Sequence, residues 1–353
     1  MRFLGIGFYT SFMRELTKID TNVLKGIALL LLLCHHLFYK ENGLYDDLFI
    51  AGHGLVNEWG KVCKVCVAIF VFLSGYGLVK SSQGKEVKAV TFYWNRMTKL
   101  FLNYWVIWLL FVPIGVFFFG RTFELVYVNH IPIRFLLDLG GLAYMFGFYG
   151  YNATWWFMSC IIMLYLLYPL LWYRGGRADF LLIVLAISII ISLFHLPFLT
   201  PIRYYLMTFI VGMIFASTNL LSRINLTSST QRVGLFLLFV VCVFVRNALG
   251  RFSMQFDTII CIVGIILYSN IGIKNKLCQN SLEFIGRHSM NIFLFHTFIY
   301  SYYFREQIYA PRNPILIFLL LLGICLIVSV LIEKIKVLFH FQQLESYLRN
   351  LKK

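Results

Sequence analysis

The chain has 353 residues, of which 60% are hydrophobic, 18% aromatic and only 13% charged. A soluble domain carries roughly 25% charged residues, so this composition excludes an ordinary water-soluble fold and points to lipid as the solvent. The formal net charge of +16, from 31 Lys and Arg against 15 Asp and Glu, would suit nucleic acid in a soluble protein. No basic stripe interleaved with aromatics lies in a soluble segment here. No nucleic-acid partner is expected, and the excess reads as a topology signal, part of it available to attract an anionic ligand.

A helix needs about 20 residues to cross the hydrocarbon. Suitable apolar runs lie at 21–39, 62–80, 98–119, 154–173, 179–196, 201–218, 233–249, 256–273, 287–304 and 314–336. They predict an all-α, polytopic integral membrane bundle of about ten transmembrane helices. It forms one domain over 1–353, with a short N-terminal segment and a tail at 337–353. The run beginning near Asn22 has no small-residue cleavage site behind it and reads as a retained first span. The 134–149 stretch is apolar but Gly-rich and holds Asp138; a re-entrant or interfacial piece is expected there. With the N-terminus placed inside, most Lys and Arg fall on the inner side, which predicts an even number of spans and both termini in the cytoplasm. The tail after Ile335, with Lys336, Arg349, Lys352 and Lys353, reads as an amphipathic end on the inner leaflet. No internal repeat is evident, which counts against inverted-repeat transporter folds.

Charged and polar groups inside the spans are costly, so their positions carry the functional signal. The first span reads Lys25-Gly-Ile-Ala-Leu-Leu-Leu-Leu-Leu-Cys-His35-His36. On an α-helix Lys25 and His36 share one face roughly 16 Å apart along the axis, and His35 points about 100° away. A lone membrane His is often an interhelical hydrogen-bonding contact. A His that shares a stripe with a cation suits reaction chemistry. In the second span, Phe72-Leu-Ser74-Gly75-Tyr76 offers small residues for close approach of a helix or a ligand. The following connector places Arg96 and Lys99 three apart on one helix face, where they serve either as positive-inside anchors or as a clamp for phosphate or carboxylate groups.

Trp155-Trp156-Phe157 opens the fourth span, which is expected to end at Tyr168-Pro169; an interfacial aromatic belt explains these residues simply. Gly286-Arg287-His288-Ser289 leads to a second intramembrane histidine, His296. Carboxylates are nearly absent from the spans, which argues against paired-carboxylate chemistry and leaves histidine as the available general base. Of the eight Cys, most lie in apolar runs as small hydrophobes. Cys63 and Cys66 form a C-x-x-C without a second zinc-type pair, so no metal site is expected.

In order along the chain, these motifs resemble the membrane-bound acyltransferase-3 family, which includes bacterial polysaccharide and O-antigen O-acetyltransferases. Lys25 through His36 resembles the family's basic residue, ten residues, then His, with Lys for the usual Arg, and Asp20 ahead of it is also similar. Phe72-Leu-Ser74-Gly75-Tyr76 resembles the second-span motif, and Arg96-Met-Thr-Lys99-Leu resembles Arg-x-x-Arg-Leu. The Trp155–Leu170 stretch and Leu282–Ser289 followed by His296 resemble two later signatures. Asn103 departs from the family's frequent Pro. The resemblance implies a membrane O-acyltransferase of the bacterial cytoplasmic membrane that moves an acyl group, in the expected case from cytoplasmic acetyl-CoA as co-substrate, to a hydroxyl of a surface polysaccharide or lipid-linked glycan, with no bound cofactor. It implies catalytic roles for His36, as general base or as transient acyl carrier, and for Ser74 and Tyr76, and donor contacts for Lys25, Arg96 and Lys99, with His35, Trp156, Ser289 and His296 as further candidates. The rival readings are a transporter or flippase for an anionic or lipid-linked glycan, and a structural membrane partner.

Overall fold

The computed structural model of the protein describes residues 15–50, 52–172, 176–194, 196 and 199–351. Thr17 opens α1 (Lys18–Phe38). Its hydroxyl accepts from the Asp20 N–H while the Asp20 carboxylate accepts from the Thr17 N–H, a reciprocal cap that fixes where the first span starts. A short antiparallel ribbon, β1 (Phe49–Ile50) with β2 (His53–Gly54), follows. Next, α2 (Leu55–Val62) runs through one tight turn into α3 (Cys66–Ser82), so the second span is a single element of 28 residues. The third, α4 (Ala89–Phe118), begins earlier than its apolar run: Lys88 is its extended N-cap, and the helix already runs through Arg96.

The 134–149 stretch is no span. Two short helices, α5 (Phe123–Tyr127) and α6 (Ile131–Leu139), and a tight turn at Ala143–Phe146 pack against the middle of α4, where the Tyr104 hydroxyl donates to the Asp138 carbonyl at 2.7 Å and the Trp105 indole to the Leu139 carbonyl at 3.0 Å. The fourth span, α7 (Trp156–Trp172), runs through Pro169 rather than ending there. The Tyr93 hydroxyl donates to the Leu166 carbonyl at 2.9 Å and Tyr168 donates to Ser82 at 2.9 Å, so the ladder around the proline is held by neighbours. Then come α8 (Ala178–Leu193), α9 (Leu206–Ser217), α10 (Leu220–Arg223), α11 (Ser229–Ala248), α12 (Ser253–Ile271) and α13 (Lys276–Arg287). The chain closes with α14 (Ser289–Thr297), whose last turn widens into a π-helix at Phe298–Tyr303, then α15 (Arg305–Tyr309), α16 (Pro314–Leu338) and α17 (Phe341–Asn350).

Every expected run contains helix, and the molecule is an all-α polytopic bundle. Among the described residues, seven helices are long and apolar enough to cross a membrane, while α8 and α9 are apolar but shorter. The apolar run at 287–304 is split between α14 and the π-helix. Outer helices such as α8 and α11 leave large apolar side chains exposed, Ile183 and Phe244 among them; acyl chains are the solvent that matches such a surface.

Close crossings set the interior. Gly26 on α1 faces the Leu282 carbonyl of α13, and Gly286 on α13 faces the Asn22 carbonyl of α1, each where a Cβ would stand. Gly75 on α3 and Gly212 on α9 meet the Phe209 and Phe72 carbonyls in the same way. Backbone contact of this kind is how small residues associate helices in lipid. The glycine of the Ser74-Gly75 motif therefore serves helix packing.

Candidate active site

His35 and His36 stand at the C-terminal end of α1, and the helix turns them to different neighbours. The His35 Nδ1 lies 2.8 Å from the Gly60 carbonyl. A carbonyl only accepts, so Nδ1 carries the proton and ties α1 to α2. His36 faces α14 instead. Its ring centroid is 4.9 Å from that of His296 and 6.0 Å from that of Tyr300, and the Tyr300 hydroxyl lies 3.5 Å from His36 Nδ1. His36 keeps part of its surface accessible, while His296 is fully buried.

The segment that carries His296 is fixed from the start of α7. Asn152 and the Trp155 indole N–H donate to the Leu294 carbonyl at 3.1 and 2.8 Å, and the Thr154 hydroxyl lies 3.0 Å from that of Thr297. Side chains can reach these helix groups where the backbone ladder loosens toward the π-helix, a turn type often found at functional sites. Trp155 is 3% exposed, which corrects the reading of the whole aromatic triplet as an interfacial belt. Trp156 turns the other way and stacks on Tyr205 at 5.6 Å. Tyr300, Asn152, Thr154 and Trp155 in its indole role escaped the sequence reading. The one usable signal was the spacing of His296 and Tyr300, one helical turn apart.

The cationic candidates gather toward the other end of α1. The charge of Lys99 acts on partly buried Lys25, and the Arg96 guanidinium donates to Ser81 Oγ at 2.9 Å. A cleft of about 360 Å³ opens beside it, lined by Ser82, Gln83, Gly84, Lys85, Trp172 and Ser217. Tyr76 belongs to this end as well. Its hydroxyl donates to the Glu15 carboxylate and accepts from the Leu16 N–H at 3.1 Å, and Glu15 pairs with Lys80 at 3.1 Å. The first turn of α1 lies roughly 27 Å along its axis from His36. The structure thus places Tyr76 away from His36 and among the anchors at the start of α1; Ser74, two residues before it on α3, is half-buried.

Ser289 is buried at the first residue of α14. Beside it runs a polar network. Lys336 donates at 2.8 Å to each of Glu333, Asn291 and Asn103, Asn291 donates to Ser329 at 3.2 Å, and His288 Nδ1 lies 2.9 Å from Ser329 Oγ. Lys336 is 7% exposed, so it belongs to the bundle interior and not to the tail on the leaflet, as its place in the sequence suggested. The same network gives Asn103 a task that a proline could not perform, because its amide oxygen is one of the three acceptors around the Lys336 ammonium. In the tail proper, α17 packs on the start of α4, with the Trp94 indole donating to the Leu348 carbonyl at 2.6 Å. Lys352 and Lys353 lie outside the described residues.

The arrangement can therefore hold an anionic group at one end of α1 and perform base chemistry with imidazole at the other. No curated protein and no solved structure matches the chain. A family model for acyltransferase-3, described as an acyltransferase domain, matches residues 19–334, from the capped start of α1 to two residues before Lys336. That match covers both histidines, the connector cations and the glycine crossings, and on it the chain belongs to the acyltransferase-3 family of membrane acyltransferases.

Proposed function

We propose that this acyltransferase is an O-acetyltransferase of a bacterial cytoplasmic membrane. It takes an acetyl group from cytoplasmic acetyl-CoA and delivers it to a hydroxyl of a surface or lipid-linked glycan. The observation that carries this reading is the polarity of α1: cations cluster toward its N-terminal end, and a partly accessible imidazole faces a second imidazole and a phenol at the other.

Arg96 and Lys99, with Lys25 nearby, hold the donor's phosphates on the cytoplasmic side. His36 removes the proton from the acceptor hydroxyl as its oxygen attacks the thioester carbonyl. The C–S bond then breaks and the sulfur leaves as CoA thiol, with the proton from His36. Tyr300 beside His36 Nδ1 steadies the ring so that the other nitrogen serves as the base.

Radiolabelled acetyl-CoA supplied to membranes of a deletion strain that carries the protein tests this directly. Label is expected in the glycan fraction, and His36→Ala is expected to remove it at unchanged protein level. A transporter incorporates no label, and label that survives His36→Ala sinks the assignment. His35→Ala is expected to lower turnover less, because His35 ties α1 to α2 rather than facing the His296 cluster; equal loss from both changes would refute that division of roles.

A further inference from the structure

His296 has a polar atom that the bundle leaves unanswered. Its Nδ1 lies 3.0 Å from the carbonyls of both Ile292 and Phe293, so Nδ1 carries the proton and Nε2 holds a lone pair. That Nε2 is buried and has no hydrogen-bond partner among the described residues. Buried polar atoms nearly always find partners, and an orphan calls for an explanation. The ring next to it is His36, 4.9 Å away by centroid, and Tyr300 packs against both, 5.9 Å from His296 and 6.0 Å from His36.

We propose that His296 is a positioning residue that receives the N–H of His36 when His36 becomes an imidazolium during acyl transfer. The inference rests on the reading of His36 as the base. A histidine that takes a proton at one nitrogen carries N–H groups at both, and the one turned from the substrate needs an acceptor. In many hydrolases a carboxylate fills that place. The rings that pack against His36 are those of His35, Tyr39, His296 and Tyr300, none of them a carboxylate. A neutral imidazole locked in the Nδ1–H form is an acceptor that suits so dry a site. The Tyr300 hydroxyl at 3.5 Å is too distant to do this alone. No proton need move to His296; the N–H it accepts from is already present when His36 acts as the base, and the bond strengthens as His36 gains charge, which is when it lowers the barrier.

The alternative is a purely local task, in which His296 only satisfies two helix carbonyls. Two substitutions separate these roles, because Asn places its amide nitrogen near the position of Nδ1 while Gln places its amide oxygen near that of Nε2. In native membranes given radiolabelled acetyl-CoA, His296→Asn is expected to keep folded protein and the apparent KM for acetyl-CoA while kcat falls on the order of 10²-fold. His296→Gln is expected to retain at least tenfold more turnover than His296→Asn. Full turnover in His296→Asn, or equal loss in both variants, overturns the proposal. His36→Ala measured in parallel keeps the two readings apart. If it stays active, the base assignment fails; if it is dead while His296→Asn is fully active, only the role of His296 fails.

Discussion

Asp138 is 1% exposed, on the last turn of α6 where it packs against α4. Its carboxylate accepts from the Tyr127 hydroxyl at 2.8 Å and the Tyr151 N–H at 2.6 Å, with the Tyr104 hydroxyl at 3.5 Å. Burial outweighs these donors and the nearby Arg121, and raises its pKa from 3.8 to about 6. A carboxyl whose pKa is higher in the folded state stabilises the fold fully below the unfolded value. That contribution is lost as pH rises from the unfolded through the folded value, here between about 4 and about 6, and the loss at neutral pH is about 3 kcal/mol. Asp138→Asn keeps the shape, with its oxygen facing Tyr127 and Tyr151, and removes the charge. The melting midpoint of the variant is therefore expected to rise relative to wild type as the buffer moves from pH 4 to pH 7. An offset that stays constant over that range would rule out Asp138 as the titrating group. The sequence marked Asp138 only as a polar residue in a doubtful segment. Its tyrosine donors come from α4, α5 and the loop before α7, and no local pattern links positions so far apart.

Helix identity was largely legible, because runs of about 20 apolar residues have few other solutions in a chain this hydrophobic. Helix ends were less legible, since they depend on partners. Pro169 looked like a terminus until Tyr93 and Ser82 supplied tertiary support, and Lys336 looked like a tail residue until three acceptors surrounded it. Gly75 was visible as a signal of close approach, but not which helix it meets, and the crossing of Gly26 with Gly286 was not visible at all. That pairing yields a prediction at the level of the element. Gly286→Ala drives a methyl group into the Asn22 carbonyl and the neighbouring backbone of α1, and overpacking of this kind costs about 1–3 kcal/mol. Gly77 on α3 and Gly323 on α16 have open space where a Cβ would stand. Their change to Ala is expected to be neutral or to stabilise by up to about 1 kcal/mol, through helix propensity. Thermal unfolding of detergent-purified variants checks the contrast, and an equal effect at all three glycines would refute the crossing.

The bundle also joins its two ends. Glu15 at the start of the described chain bonds to Tyr76 and Lys80 on α3 and accepts from the Ser222 N–H at 3.1 Å. At the other terminus, α17 bonds through Leu348 to Trp94, and Arg349 lies 3.4 Å from Asn95, both on the first turns of α4. The α3–α4 connector lies between these anchor points, so the N-terminal segment, that connector and α17 share one end of the molecule. The histidines lie toward the opposite end, where Tyr309 donates to the Leu37 carbonyl at 2.9 Å and Arg312 pairs with Asp46 at 2.8 Å. The positive-inside tendency predicts that the basic connector lies on the cytoplasmic side, together with Glu15 and α17, and that the Asp46–Arg312 pair faces outward. Single cysteines at Gln83 and at Asn42, in a background with the native cysteines replaced, test this with a membrane-impermeant thiol reagent on intact cells. Labelling is expected at Asn42 and absent at Gln83 until the membrane is opened, and reporter fusions at the two termini are expected to read the same compartment. The reverse labelling pattern would leave the fold intact but move the cations of α1 to the outer face, and the donor could then no longer be a cytoplasmic acyl-CoA held there.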